Sequence, residues 1–225
     1  EIERARHHLV DAKDPDAPVD AARFADLANA AIDDIRGRGK IPVIVGGTFL
    51  WVKALVYGLA PAPPASAELR AEYDAFVAEH GRPALHARLQ AVDPQSATRL
   101  HPNDFVRVSR ALEVFALSGR TLTDWHGDHG FQETKRPVAF VAIEQTPVEL
   151  TDRITKRSRA WLQGGWIEET RRLAAMGYGE TRAMASVGYK EVYAHVSGEL
   201  CAEDLETAVV RATRVFARRQ RTWLN

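Results

Sequence analysis

The strongest constraint on the fold is a change of rhythm between Ala21 and Val56. From Ala21 to Arg38, the residues Phe24, Leu27, Ala28, Ala31, Ile32 and Ile35 recur at helical spacing. Gly37 to Lys40 turns the chain, and Ile41-Pro-Val-Ile-Val45 follows as a short apolar run of strand type. Gly46-Gly47-Thr48 ends that run, and helical periodicity resumes from Phe49 to Val56. Helix, strand, glycine turn, helix is the pattern of an α/β layered fold with a buried parallel sheet.

The sheet pattern is then interrupted. Ala60-Pro-Ala-Pro-Pro-Ala65 cannot continue a helix. From Ser66 to about Gly119 the pattern is helical, with turns at Gly81-Arg-Pro83 and His101-Pro-Asn-Asp104. Arg136-Pro-Val-Ala-Phe-Val-Ala-Ile143 restores an apolar strand, and a long helix is expected from Thr146 or Pro147 through Met176, weakened at Gly164-Gly165. Gly177-Tyr-Gly179 breaks it, and two further helices are expected. The expected organisation is an α/β core over 1–64, a helical insertion over 65–135, and a second part of the core over 136–225.

Composition narrows the class. Of 225 residues, 45% are hydrophobic and 27% charged, as in ordinary globular proteins. The single cysteine, Cys201, excludes an internal disulfide framework and a thiolate zinc cluster, and fits a reducing cytosol. No apolar run approaches the roughly 20 residues needed to span a bilayer. The first residues, Glu-Ile-Glu-Arg-Ala-Arg, do not form a signal peptide. They include no Met and no obvious first element, so the chain reads as one that begins part-way into a fold. His7-His8 are adjacent and point in different directions, which does not make a metal site.

A net charge of zero conceals a basic end. From Arg211 to Asn225 there are five arginines and no acidic residue. On a helix, Arg211, Arg214, Arg218 and Arg221 share one side, opposite Leu205, Val209, Ala212, Phe216 and Trp223. Guanidinium forks suit bidentate phosphate contact, which points to a polyanion such as RNA. A solvated helix face is the alternative, although no interleaved carboxylate is present to make the usual pairs.

Three further motifs could carry chemistry. Thr48, after two glycines at the end of a strand, can cap the following helix or face a substrate at the sheet edge. Asp104 is the expected cap of a helix in which Val108, Ala111, Leu112 and Phe115 pack, while Arg107 and Arg110 share a neighbouring face; Arg110 could instead pair with Glu113. Arg153 and Arg157 lie four apart near the sheet edge, suited to a diphosphate leaving group, with pairing to Asp152 or Glu149 as the alternative. No G-x-x-x-x-G-K-[ST] phosphate loop occurs, since Gly37-Arg-Gly-Lys40 is only a turn.

Five segments together resemble the bacterial tRNA dimethylallyltransferases. They are His7-His-Leu-Val-Asp11; Ile41-Pro-Val-Ile-Val-Gly-Gly-Thr48; His101-Pro-Asn-Asp104 with Arg107-x-x-Arg110-Ala-Leu-Glu-Val114; Ser186-Val-Gly-Tyr-Lys-Glu191; and Ala217-Arg-Arg-Gln-Arg-Thr-Trp-Leu224. The resemblance implies a P-loop NTPase-like parallel-sheet core with a helical insertion. It also implies nucleotide and ATP-type phosphate binding, magnesium, and transfer of a dimethylallyl group from dimethylallyl diphosphate to N6 of the adenosine 3′ of the anticodon.

Carried over by the resemblance, Thr48 sits beside the reacting adenosine as the catalytic residue. Arg157, with Arg153 behind it, holds the diphosphate. The tRNA anticodon stem-loop is met by Thr48, Arg70, Val106, Arg107, Val108, Ser109, Arg110, Tyr189, Lys190, Arg214, Arg218, Arg219, Gln220 and Trp223. A monomer in the cytoplasm is expected, with no membrane partner.

Three departures accompany the resemblance. The family's phosphate loop and general-base aspartate lie upstream of Glu1, so the 225 residues alone are not expected to turn over. The chain also stops soon after Thr-Trp-Leu. Pro147 and Ala185 stand where the family usually has arginine and Gln or Arg. The rival readings are an adenylate isopentenyltransferase acting on free nucleotide and a non-catalytic RNA-binding remnant. The extended basic face favours RNA over a mononucleotide.

Overall fold

The computed structural model describes residues 5–17 and 19–224, and the chain divides into two compact units: Glu1–Leu55 with Val138–Asn225, and Val56–Pro137. In the first, Asp20 caps α1 (Ala21–Gly37) by accepting the Arg23 amide at 2.8 Å. The apolar stripe of α1 buries Ala28 and Ile32 against Leu55 of α2 (Phe49–Tyr57). Phe24 packs beside them and stacks on Trp51 with ring centroids 4.7 Å apart.

The expected parallel sheet is not formed by the described residues. Among the described residues no strand ladder forms, and Ile41–Val45 and Arg136–Ile143 are irregular segments. Ile41, Val45, Val141 and Ile143 are each more than four-fifths exposed, at 87%, 90%, 88% and 86%. A parallel strand is held by hydrogen bonds to its neighbours and covered on both faces. Neither run meets such neighbours among the described residues, and apolar composition alone supplies no partner.

The second unit is helical, as its periodicity required. It contains α3 (Ala67–His80), α4 (Arg82–Val92), α5 (Pro94–Arg99), α6 (Phe105–Ser118) and α7 (Leu122–His129). Ser66, Asp93, Asp104 and Thr121 each accept an amide of the first turn of α3, α5, α6 and α7 respectively. Gly119, at φ 67°, closes α6 in the left-handed region that only glycine adopts freely. Tyr73, Leu85, Leu89, Ala97, Val108, Ala111 and Leu112 form one core. The unit starts at Val56 rather than near residue 65. The Val56 carbonyl accepts the Lys135 amide at 2.6 Å, and the Pro63 carbonyl accepts Arg110 Nη2 at 2.6 Å, so the proline-rich connection belongs to it.

Asp93 fastens α5 to α7. Its carboxylate accepts the Ser96 amide at 3.0 Å, the Thr123 hydroxyl at 2.7 Å and the Thr123 amide at 3.2 Å. Burial opposes its ionisation, but these hydrogen bonds outweigh burial and hold the carboxyl below the usual range.

The first unit resumes with α8 (Pro147–Trp161), α9 (Ile167–Leu173), α10 (Tyr189–Val196) and α11 (Ala202–Leu224). Thr146 and Glu149 form a reciprocal capping box at the start of α8. The single helix expected through Met176 is kinked at Gly165 and again at Gly177, whose φ values are 99° and 91°. Val192, Leu205 and Val209 form the local core, with Trp166 and Ile167 packed against it. Among the described residues no helix is long and apolar enough to cross a membrane.

Candidate functional site

α8 and α11 pack together and are clasped by Arg159, whose Nε and Nη2 donate to the two oxygens of Glu206 at 3.0 and 2.7 Å. Beside this clasp lies a cleft of about 1020 Å³. Arg153 and Arg157 line it from α8, Arg211, Arg214, Arg218 and Arg221 from α11, and Ala142 to Gln145 from the preceding segment. All six arginines are exposed. None of them is paired with a carboxylate among the described residues.

The pairings weighed for Arg153 and Arg157 go elsewhere. Asp152 pairs with Lys156 at 2.8 Å, and Glu149 is taken up by the cap, where the Thr146 hydroxyl and amide hold its carboxyl below the usual range. Arg157 rests its guanidinium over the Trp161 ring, 4.8 Å from the centroid. Six unpaired guanidiniums around one cleft create a strongly anion-attracting site.

Thr48 begins α2. Its carbonyl accepts the Trp51 and Val52 amides at 2.9 and 3.2 Å, while its exposed hydroxyl has no partner among the described residues. Gln220 also lines the cleft, and its side-chain amide lies over Gly47. Trp223, expected on the packed side of α11, is 55% exposed and stacks on Phe49 with planes 9° apart.

Other expected RNA contacts are scattered. Arg219 and Lys190 are exposed and do not line the cleft. Tyr189 is half-buried: its ring meets Trp166 edge-on and its hydroxyl donates to Glu169 at 2.6 Å. Burial and that hydrogen bond push its hydroxyl up to about 12.

In the helical unit, Arg70 and Arg110 converge on Glu113, whose side chain is only 1% exposed. Glu113 accepts Arg110 Nη1 at 2.5 Å, Arg70 Nε at 3.3 Å and the Ser66 amide at 2.7 Å. The Arg110–Glu113 pair weighed from the sequence therefore exists, with its carboxylate buried and its guanidinium partly exposed. Its i,i+3 spacing was visible in the sequence; Arg70 and Ser66, more than forty residues away, were not. Val106 and Arg107 are 74% and 72% exposed, and Arg107 pairs with Asp104 at 3.2 Å. Val108 and Ser109 are buried, so their side chains are not on the solvent face where RNA contact was expected.

The model of the IPP transferase family matches residues 1–225. The chain belongs to that family. It is 59% identical over 221 residues to a tRNA dimethylallyltransferase of Sorangium cellulosum, covering 98% of this chain and 70% of that one. It is 48% identical over 220 residues to the enzyme of the same name from Anaeromyxobacter dehalogenans, covering 98% and 73%. Among solved structures, it resembles the full-length tRNA isopentenylpyrophosphate transferase of Bacillus halodurans, with TM-score 0.66, 32% identity, and coverage of 99% and 69%. A eukaryotic dimethylallyltransferase acting on tRNA gives TM-score 0.72 at 25% identity, covering 99% of this chain and 57% of that one. The second cationic group, in the helical unit, is built differently, around a buried carboxylate.

Proposed function

We propose that the protein is a tRNA dimethylallyltransferase, transferring a dimethylallyl group from dimethylallyl diphosphate to N6 of the adenosine 3′ of the anticodon. The observation that carries this reading is the cleft between α8 and α11, where six arginines face one space without carboxylate partners in a member of the IPP transferase family. The bond between the allylic carbon and the diphosphate oxygen breaks, and its electron pair leaves with the diphosphate. Arg153 and Arg157 stabilise that developing charge by standing fixed beside it. The N6 lone pair forms the new bond to carbon, and the amine loses a proton to water. Thr48, with its free hydroxyl at the start of α2, orients the base for attack. Arg214 and Arg218 extend the positive lining along α11 toward RNA phosphates.

The two irregular apolar runs, Ile41–Val45 and Arg136–Ile143, fit strands of the parallel P-loop-type sheet that the resemblance implies. Magnesium, which the resemblance implies, is a hard cation that wants oxygen ligands. Glu144 is the one carboxylate among the residues lining the cleft, and the described residues contain no cluster of metal-binding side chains. These residues do not by themselves fit a magnesium cage.

The relatives' names favour tRNA over free nucleotide as acceptor. The deciding experiment supplies the complete protein with labelled dimethylallyl diphosphate and either tRNA or adenosine monophosphate. Label on the tRNA adenosine is expected; label on the mononucleotide alone would overturn the reading.

A further inference from the structure

Thr48 is gripped from both sides by the end of one helix. On its amino-terminal side, the Gln220 side-chain amide occupies the space that a Cβ at Gly47 would need. On its carboxyl-terminal side, Phe49 stacks on Trp223 with ring centroids 6.1 Å apart and planes 9° from parallel. Gln220 and Trp223 are three residues apart on α11, so they lie on one face, one turn apart. Gly47 and Phe49 are the two neighbours of Thr48. The segment leading into Thr48 has no ladder among the described residues to fix it, since Ile44, Val45 and Gly46 are exposed and irregular. Among the described residues, these two contacts tie the turn to α11.

The geometry points to Gln220 and Trp223 as positioning residues for Thr48, in place of the direct RNA contacts expected from the sequence. This inference rests on the role proposed for Thr48. A Cβ at Gly47 would displace the end of the Gln220 side chain. The same turns of α11 carry Arg218 and Arg221 into the cleft, so one helix sets these cleft cations and the threonine in a common frame. A reacting group shifted by about 1 Å costs on the order of a hundredfold in rate, so looser packing of this turn would appear in catalysis.

The test uses the complete protein with Gln220→Ala, Trp223→Ala, Trp223→Phe and Thr48→Ala. Turnover is measured at saturating substrates, tRNA affinity by fluorescence anisotropy, and backbone exchange by mass spectrometry. Gln220→Ala and Trp223→Ala are expected to lower kcat by about tenfold, with tRNA Kd within about twofold, and to speed exchange at the Thr48 to Val52 amides. Trp223→Phe, which keeps a ring to stack on Phe49, should recover most of the kcat. A tenfold weaker tRNA Kd with unchanged kcat would overturn the inference and make both residues RNA contacts. Unchanged kcat and unchanged exchange would overturn it as well. If Thr48→Ala itself kept full turnover, the role of Thr48 would fail, and exchange at the turn would still decide whether Gln220 and Trp223 hold it.

Discussion

Removing Glu113 tests whether the helical unit is organised around a buried charge. Its carboxylate is 1% exposed and accepts from two guanidiniums and one backbone amide. Glu113→Ala leaves the Ser66 amide without its acceptor, a loss of roughly 1–3 kcal/mol where the amide is buried. Arg110, whose side chain is 30% exposed, loses its counter-charge but keeps the Pro63 carbonyl. Arg70, at 54% exposed, returns to water at little cost.

Breaking a buried pair typically costs about 3–5 kcal/mol, and the partial exposure of both arginines places this one at the lower end, near ~3 kcal/mol. Arg110→Ala should cost a similar amount, because it removes the closest cation of the buried carboxylate, whereas Arg70→Ala should cost under about 1 kcal/mol. The assay is urea unfolding of the complete protein, with hydrogen exchange at α3 and α6 to locate the change. The reasoning fails if Glu113→Ala costs less than Arg70→Ala, or if the Arg110→Ala and Glu113→Ala effects add without a coupling of at least about 0.5 kcal/mol.

Asp93 should make the same unit acid-sensitive. Its folded carboxyl lies below the ordinary value of 3.8, so its contribution is complete above that value and is lost as pH falls toward the folded value. Urea midpoints should therefore fall more steeply on acidification in the wild type than in Asp93→Asn. Gly188→Ala should destabilise the α10 region by roughly 1–3 kcal/mol, because Gly188 has φ 93° and its missing Cβ would strike the Trp166 ring; thermal melting reads this directly. Arg157→Ala should raise KM for dimethylallyl diphosphate about tenfold or more, the loss of one fixed cation, while tRNA Kd stays within about twofold. Equal effects on both substrates would refute the assignment of Arg157 to the diphosphate.

The parts legible in the sequence are those whose partners are close along the chain. The caps at Asp104 and Thr146, the α6 stripe of Val108, Ala111 and Leu112, and the arginine face of α11 all arise from interactions within a few residues. Their periods are therefore written directly into residue order. The chain misleads where the partner is distant. Ile41–Val45 has strand composition, but a strand exists only through its neighbours, and none of the described residues pairs with it. Gln220 and Trp223 fall in a run rich in arginine, and the resemblance, not the charge pattern, implies RNA contact for them. Their contacts to Gly47 and Phe49 span more than 170 residues, a separation that no local period records. The same holds for Glu113, whose i,i+3 partner was visible while the Ser66 amide and Arg70 were not. Local order therefore revealed which residues carry charge, and only the packing of α11 and α6 distinguishes arginines that face open space from polar groups that hold them there.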